Sequence, residues 1–91
     1  MYEVNLSDEA RTTAGQLPHD AIKAFAELVD VLALQPFIGR LYRGPGSDLR
    51  TISVAGGELL VVWLVIDSQQ RVEILRLLWL GASTGDAGPT E

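Results

Sequence analysis

The run Leu59-Leu-Val-Val-Trp-Leu-Val-Ile66 limits what this chain can fold into more than any other stretch. It is rich in β-branched and aromatic residues and is too short for an ordinary globular helix, which marks it as a strand. Asp67-Ser-Gln-Gln70 supplies turn chemistry after it, and Arg71 to Leu80 reads as the returning strand, so a β-hairpin is expected. In a half-exposed strand every second side chain is polar. Here both alternating sets are apolar: Leu59, Val61, Trp63 and Val65 form one, and Leu60, Val62, Leu64 and Ile66 form the other. A strand of that kind has to be covered on both faces. The chain's own helices can supply one cover, but 91 residues leave little for a second. A partner chain or a second copy is therefore expected to complete the missing layer.

The rest of the chain sets the size of that shortfall. Residues 1–80 read as a single domain, and Gly81 to Glu91, rich in Gly, Ser, Thr and Pro, reads as a flexible polar tail. A domain this small is marginal alone and gains from a partner. The absence of cysteine excludes disulfides and thiolate metal sites, and no cofactor is expected. Met1-Tyr-Glu-Val-Asn is unlike a secretory leader and no apolar run reaches membrane-spanning length, so the expected location is the cytoplasm, without membrane contact. The net charge of −5 divides as −4 over residues 1–36, +2 over 37–57 and −3 over 58–91. Nucleic acid would be repelled overall, so phosphate could be held only locally, near Arg40, Arg43 and Arg50.

In order, Tyr2, Val4 and Leu6 alternate with Glu3 and Asn5 as in a half-buried strand. Ser7 offers an N-cap, with Asp8 and Glu9 in the first turn, to a short helix whose apolar stripe is Ala10, Ala14 and Leu17 and which Pro18 ends. Pro18 suits the first turn of a second helix running to about Leu34. On it, Ile22, Phe25, Val29 and Leu32 share one face, and Asp20, Lys23, Glu27 and Asp30 share a solvated one. Phe37 to Asp48, broken by Gly39, Gly44, Pro45 and Gly46, reads as a loop. Leu49 to Val54 is a further strand, and Ala55-Gly56-Gly57 turns it into the hairpin. The expected fold is α+β: a two-layer sandwich in the order strand-helix-helix-strand-strand-strand, its mostly antiparallel sheet carrying a helical hairpin on one face.

Several side chains could carry chemistry. Arg40, Arg43 and Arg50 form the one cationic group, with Tyr42 among them as a stacking surface for a base; the competing reading is arginines that are solvated or paired with Asp48 and with acids of the second helix. Arg76 stands among leucines: buried, it needs a partner such as Glu73 or Glu58; exposed, it faces whatever binds the outer sheet. His19 reads as an exposed helix-start residue. Gly44-Pro45-Gly46 and Ala55-Gly56-Gly57 lack the Lys-Ser/Thr and following helix of a phosphate-binding loop. The serines have no histidine base beside them, and the scattered acids make no metal site. Trp63 and Trp79 could touch across neighbouring strands, as core or interface.

The Tyr-x-Val-x-Leu-Ser-x-Glu-Ala opening at Tyr2 to Ala10 resembles the RelE/ParE toxin superfamily of bacterial type II toxin–antitoxin systems. So do Pro36 before Gly39-Arg-Leu41, then Leu49-Arg-Thr-Ile52, and the apolar hairpin ending Trp79-Leu-Gly81. The resemblance covers residues 1 to about 81. It implies a cytoplasmic toxin neutralised by a cognate protein antitoxin that covers the sheet, with Leu60, Val62, Trp63, Leu64 and Trp79 as partner-binding residues. RelE-like members cut messenger RNA in the ribosome, whereas ParE-like members bind DNA gyrase and cut nothing. For the ribonuclease reading the matching catalytic positions are Arg50 and Arg76, with Arg40, Tyr42 and Arg43 as target- or RNA-binding residues. Two departures weigh against it: Glu58-Leu59-Leu60 lacks a basic residue, and Trp79 to Glu91 has no Arg, His, Lys or Tyr. Cleavage by 2′-hydroxyl attack also needs a general acid and base. The favoured expectation is a toxin that binds a cellular target. The alternatives are an endoribonuclease toxin, and a non-toxic homodimeric module or degenerate toxin.

Overall fold

The computed structural model describes residues 1–41 and 49–80. Strand β1 (Glu3–Leu6) leads directly into helix α1 (Asp8–Ala14). Ser7 makes the corner: its Oγ accepts the Ala10 N–H at 3.1 Å, capping the helix, and donates to the Leu75 carbonyl at 2.8 Å. The same hydroxyl thus starts α1 and ties it to the last strand. The helix ends at Ala14 with Gly15 as its C-cap, short of the expected stop at Pro18. Pro18 is the N-cap of α2 (His19–Leu34) rather than a residue of its first turn. The buried stripe of α2 is Ala21, Phe25, Leu28 and Leu32, with Ile22 and Val29 half-buried beside it. The expected face is therefore rotated slightly, from Ile22 and Val29 toward Ala21 and Leu28.

The sheet has the order β1-β5-β4-β3-β2, with β2 at Arg40–Leu41, β3 at Leu49–Val54, β4 at Leu59–Ile66 and β5 at Arg71–Trp79. β1 runs parallel to β5; the other neighbours are antiparallel. β2 falls within the stretch whose sequence predicts a loop; Arg40 pairs with Thr51 and Leu41 with Arg50. The hairpin turn is a 3-10 turn at Asp67–Gln69 closed by Gln70 in the left-handed region. The tail from Gly81 lies outside the described residues.

The doubly apolar strand takes the centre of the sheet, where both its edges are paired. Leu59, Val61, Trp63 and Val65 face the helices and join Ala10, Phe25, Leu28, Leu32, Val72, Ile74 and Leu77 in one core. Trp63 is wholly buried and its indole N–H donates to the Pro36 carbonyl at 3.0 Å, so the ring's polar edge is satisfied. The two tryptophans do not pair across strands: Trp63 lies opposite Ile74, and Trp79 opposite Leu59.

Candidate functional site: the open sheet face

Paired residues in a ladder point to the same face, so the register assigns every strand residue to one of two sides. With Trp63 on the helix side, the opposite face carries three rows. One runs Leu49, Leu64, Glu73 and Asn5; the next runs Arg40, Thr51, Val62 and Arg76; the third runs Ser53, Leu60 and Leu78. Ile66, Arg71 and Glu3 close the strip at one end. No helix or strand among the described residues covers this face; both helices contribute to the core on the other.

A bulge in β5 sets the composition of the face. Val62 lies opposite Arg76 while Trp63 lies opposite Ile74, so Leu75 has no partner of its own on β4. The apolar residues that must point inward are Val72 and Ile74 before the bulge and Leu77 and Trp79 after it, and these two pairs have opposite parity. A regular strand would have driven Arg76 into the core. The extra residue keeps the guanidinium on the open side, where it meets Glu9 of α1 at 3.3 Å, rather than Glu73 or Glu58. Both side chains are about two-thirds exposed (64 % and 62 %), so this ion pair positions Arg76 more than it stabilises the fold. Arg71 is committed elsewhere: it donates to Glu73 at 2.6 Å and to Gln69 at 3.0 Å. The Glu73 bond and charge hold its guanidinium above its ordinary pKa.

Arg50 lies on the other side of the sheet. Its register partner is Trp63, its Nη1 donates to the Phe37 carbonyl at 2.7 Å, and its guanidinium lies 5.3 Å from the centroid of the Phe37 ring. These contacts make it a clamp on the segment between α2 and β2. It also lines a cavity of about 290 Å3 with Phe37, Leu41, Leu64 and Asp67. Beside it, the Tyr2 hydroxyl donates to the Asp67 carboxylate, which raises the phenol's pKa, and the Tyr2 and Phe37 rings meet edge to face at 6.2 Å.

The sequence-derived sites are therefore redistributed. Arg50 and Arg76 lie on opposite faces with β4 between them, so they do not converge on one phosphate. Arg40 and Arg50 are likewise on opposite faces, and Tyr42 and Arg43 lie outside the described residues. Among the expected partner-binding residues, Leu60 and Leu64 keep accessible surface on the open face. Val62 shares that face but is only 8 % exposed, and Trp63 and Trp79 point to the core, so these three are withdrawn from contact with a partner. Leu78, 43 % exposed opposite Leu60, belongs to the face and was missed. The parity shift at the bulge hid it, since regular alternation from Val72 and Ile74 would place Leu78 in the core. His19 is the exposed first residue of α2, as its sequence context implied. Among the described residues no group of acids or histidines could hold a metal ion. No helix is long and apolar enough to cross a membrane.

The sequence matches no family model and no curated protein. The fold does match solved structures. The isolated Escherichia coli RelE toxin superposes with a TM-score of 0.78 over 92 % of this chain and 89 % of its own, at 18 % identity. The toxin–antitoxin complex RelBE2 of Mycobacterium tuberculosis gives 0.74 over 86 % and 96 %, at 22 % identity. The chromosomal ParDE system of P. aeruginosa gives 0.67 over 89 % and 98 %, at 18 % identity. The two-layer architecture is thus shared with a defined class of small α+β proteins. The chain has the RelE/ParE toxin fold.

Proposed function

We propose that this chain is the toxin component of a type II toxin–antitoxin system, that it acts in the cytoplasm by binding a cellular target, and that a protein antitoxin covering the sheet neutralises it. One observation carries the reading: the central strand presents Leu60, Leu64 and Ile66, flanked by Leu78, on a sheet face that nothing among the described residues covers. A surface of this kind calls for a partner. The fold supplies the class of partner, since RelE in its complex with RelB, with a TM-score of 0.76 to this chain, is a toxin solved with its antitoxin. The target favoured is a protein, as in the gyrase-binding ParE-like branch. Cleavage of RNA is disfavoured because Arg50 and Arg76 occupy opposite faces and the one histidine, His19, is at the start of α2, in the opposite layer.

The test is neutralisation. Induction of the chain alone should reduce viable count, and co-expression of the protein encoded beside it should restore growth. The substitutions Leu60→Arg and Leu78→Asp should leave the killing intact and abolish the rescue. Rescue that is indifferent to both substitutions would remove the sheet face from the account, and a soluble chain that does not kill would remove the toxin.

A further inference from the structure

Next to the edge strand β2, Gly39, Arg40, Thr51, Ser53 and Leu60 border a concavity of about 480 Å3 on the open face. Arg40 is exposed and has no ion-pair partner among the described residues, whereas Arg71 is held by Glu73 and Arg76 by Glu9. Thr51 Oγ1 is removed from water without a hydrogen-bond partner, and it is the one such side-chain atom among the described residues. Leu60, with its register partner Leu78, continues the rim as an apolar strip.

Charge decides what would settle there. The helical layer carries Asp8, Asp20, Glu27 and Asp30 against Arg11 and Lys23, while on the open face Arg71 and Arg76 are matched by Glu73 and Glu9, and Arg40, at the β2 edge, has no ion-pair partner among the described residues. An acidic segment is repelled from the first surface and attracted to the second. Nucleic acid would meet the same guanidinium, but its phosphates gain nothing from Leu60 and Leu78 and oppose a chain of net charge −5.

We propose that this concavity anchors a partner-protein segment whose Asp or Glu side chain pairs with Arg40 while neighbouring aliphatic side chains lie on Leu60 and Leu78. The proposal rests on the reading of a protein partner over the sheet, and adds the anchor point and its chemistry.

The probe is a phage-displayed library of random peptides of about twelve residues, panned on the immobilised full chain. The enriched peptides should carry Asp or Glu flanked by Leu, Ile or Val. A synthesised winner should lose affinity about tenfold or more on Arg40→Gln and keep it on Arg11→Gln, a change in the helical layer. No enrichment, enrichment of basic or uncharged peptides, affinity indifferent to Arg40→Gln, or displacement by an equal concentration of oligouridylate would each overturn the proposal. Arg40-dependent binding by a chain that does not kill would overturn the toxin reading and leave the anchor standing.

Discussion

Gly39 is the residue with the least room to change. Its φ of +81° is in the left-handed region, and a Cβ there would lie 2.6 Å from the Thr51 carbonyl oxygen and 3.0 Å from the Trp63 ring. The rigid backbone oxygen cannot yield, so Gly39→Ala combines dihedral strain with overpacking. We expect a loss of about 2–3 kcal/mol in denaturant unfolding, and a loss within about 0.5 kcal/mol would show that the segment moves freely. Tyr2 gives a pH signature. Its hydroxyl donates to Asp67 and its pKa is raised, so the folded state holds that proton more tightly than the unfolded chain. The bond's contribution to stability is complete below the unfolded value of about 10 and disappears as the pH climbs through the higher folded value. Spectroscopic titration should show a late tyrosinate component that Tyr2→Phe removes and Asp67→Asn brings earlier; no late component in the wild type would contradict the bond. Arg76 is different again, because its exposed pair with Glu9 contributes little. Arg76→Ala should change stability by less than about 1 kcal/mol, which lets its effect on growth be interpreted as function.

At the scale of the element, β5 is where local pattern and global fold part company. Leu75 is the residue that reconciles the inward pair Val72 and Ile74 with the inward pair Leu77 and Trp79. Deleting Leu75 should therefore leave a folded chain, since regular alternation then places all four inside. Deleting Leu77 should turn Trp79 outward and lower the melting temperature sharply. Equal damage from both deletions, compared by thermal melts and amide spectra, would refute the role of the bulge. The central strand was legible from the sequence because an unbroken apolar run has few other uses, and Ser7 as a cap was legible because its chemistry is local. The bulge and the two-residue strand β2 were not. Each depends on which neighbour the strand meets across the ladder, and no short window contains that information. The same limit explains the site residues. Arg50 and Arg76 are brought together only by the resemblance to ribonuclease toxins, and only the register shows that β4 separates them.

Taken together, the described residues form a sheet with one finished side. The helical layer is acidic and seals Trp63 beneath it; the other side combines Leu60, Leu64, Ile66 and Leu78 with arginines that are available or held only at the surface. The division accounts for the doubly apolar strand, since its helix-facing set fills the core and its outward set lies on the side that no helix or strand among the described residues covers. It also separates two roles for basic residues: Arg50 holds the segment that follows α2, and Arg40 and Arg76 stand at opposite ends of one row on the open face. The separation of Arg50 and Arg76 by β4 agrees with the proposed action, binding of a target rather than cleavage of a phosphodiester.

The measurement closest to that claim is viable count after tightly controlled induction of the wild-type chain and of Arg76→Ala, with the 5′ ends of cellular RNA mapped from the same cultures. Killing without new RNA ends is the predicted result. Killing accompanied by codon-phased cuts that vanish in Arg76→Ala would contradict it and make the chain a ribonuclease.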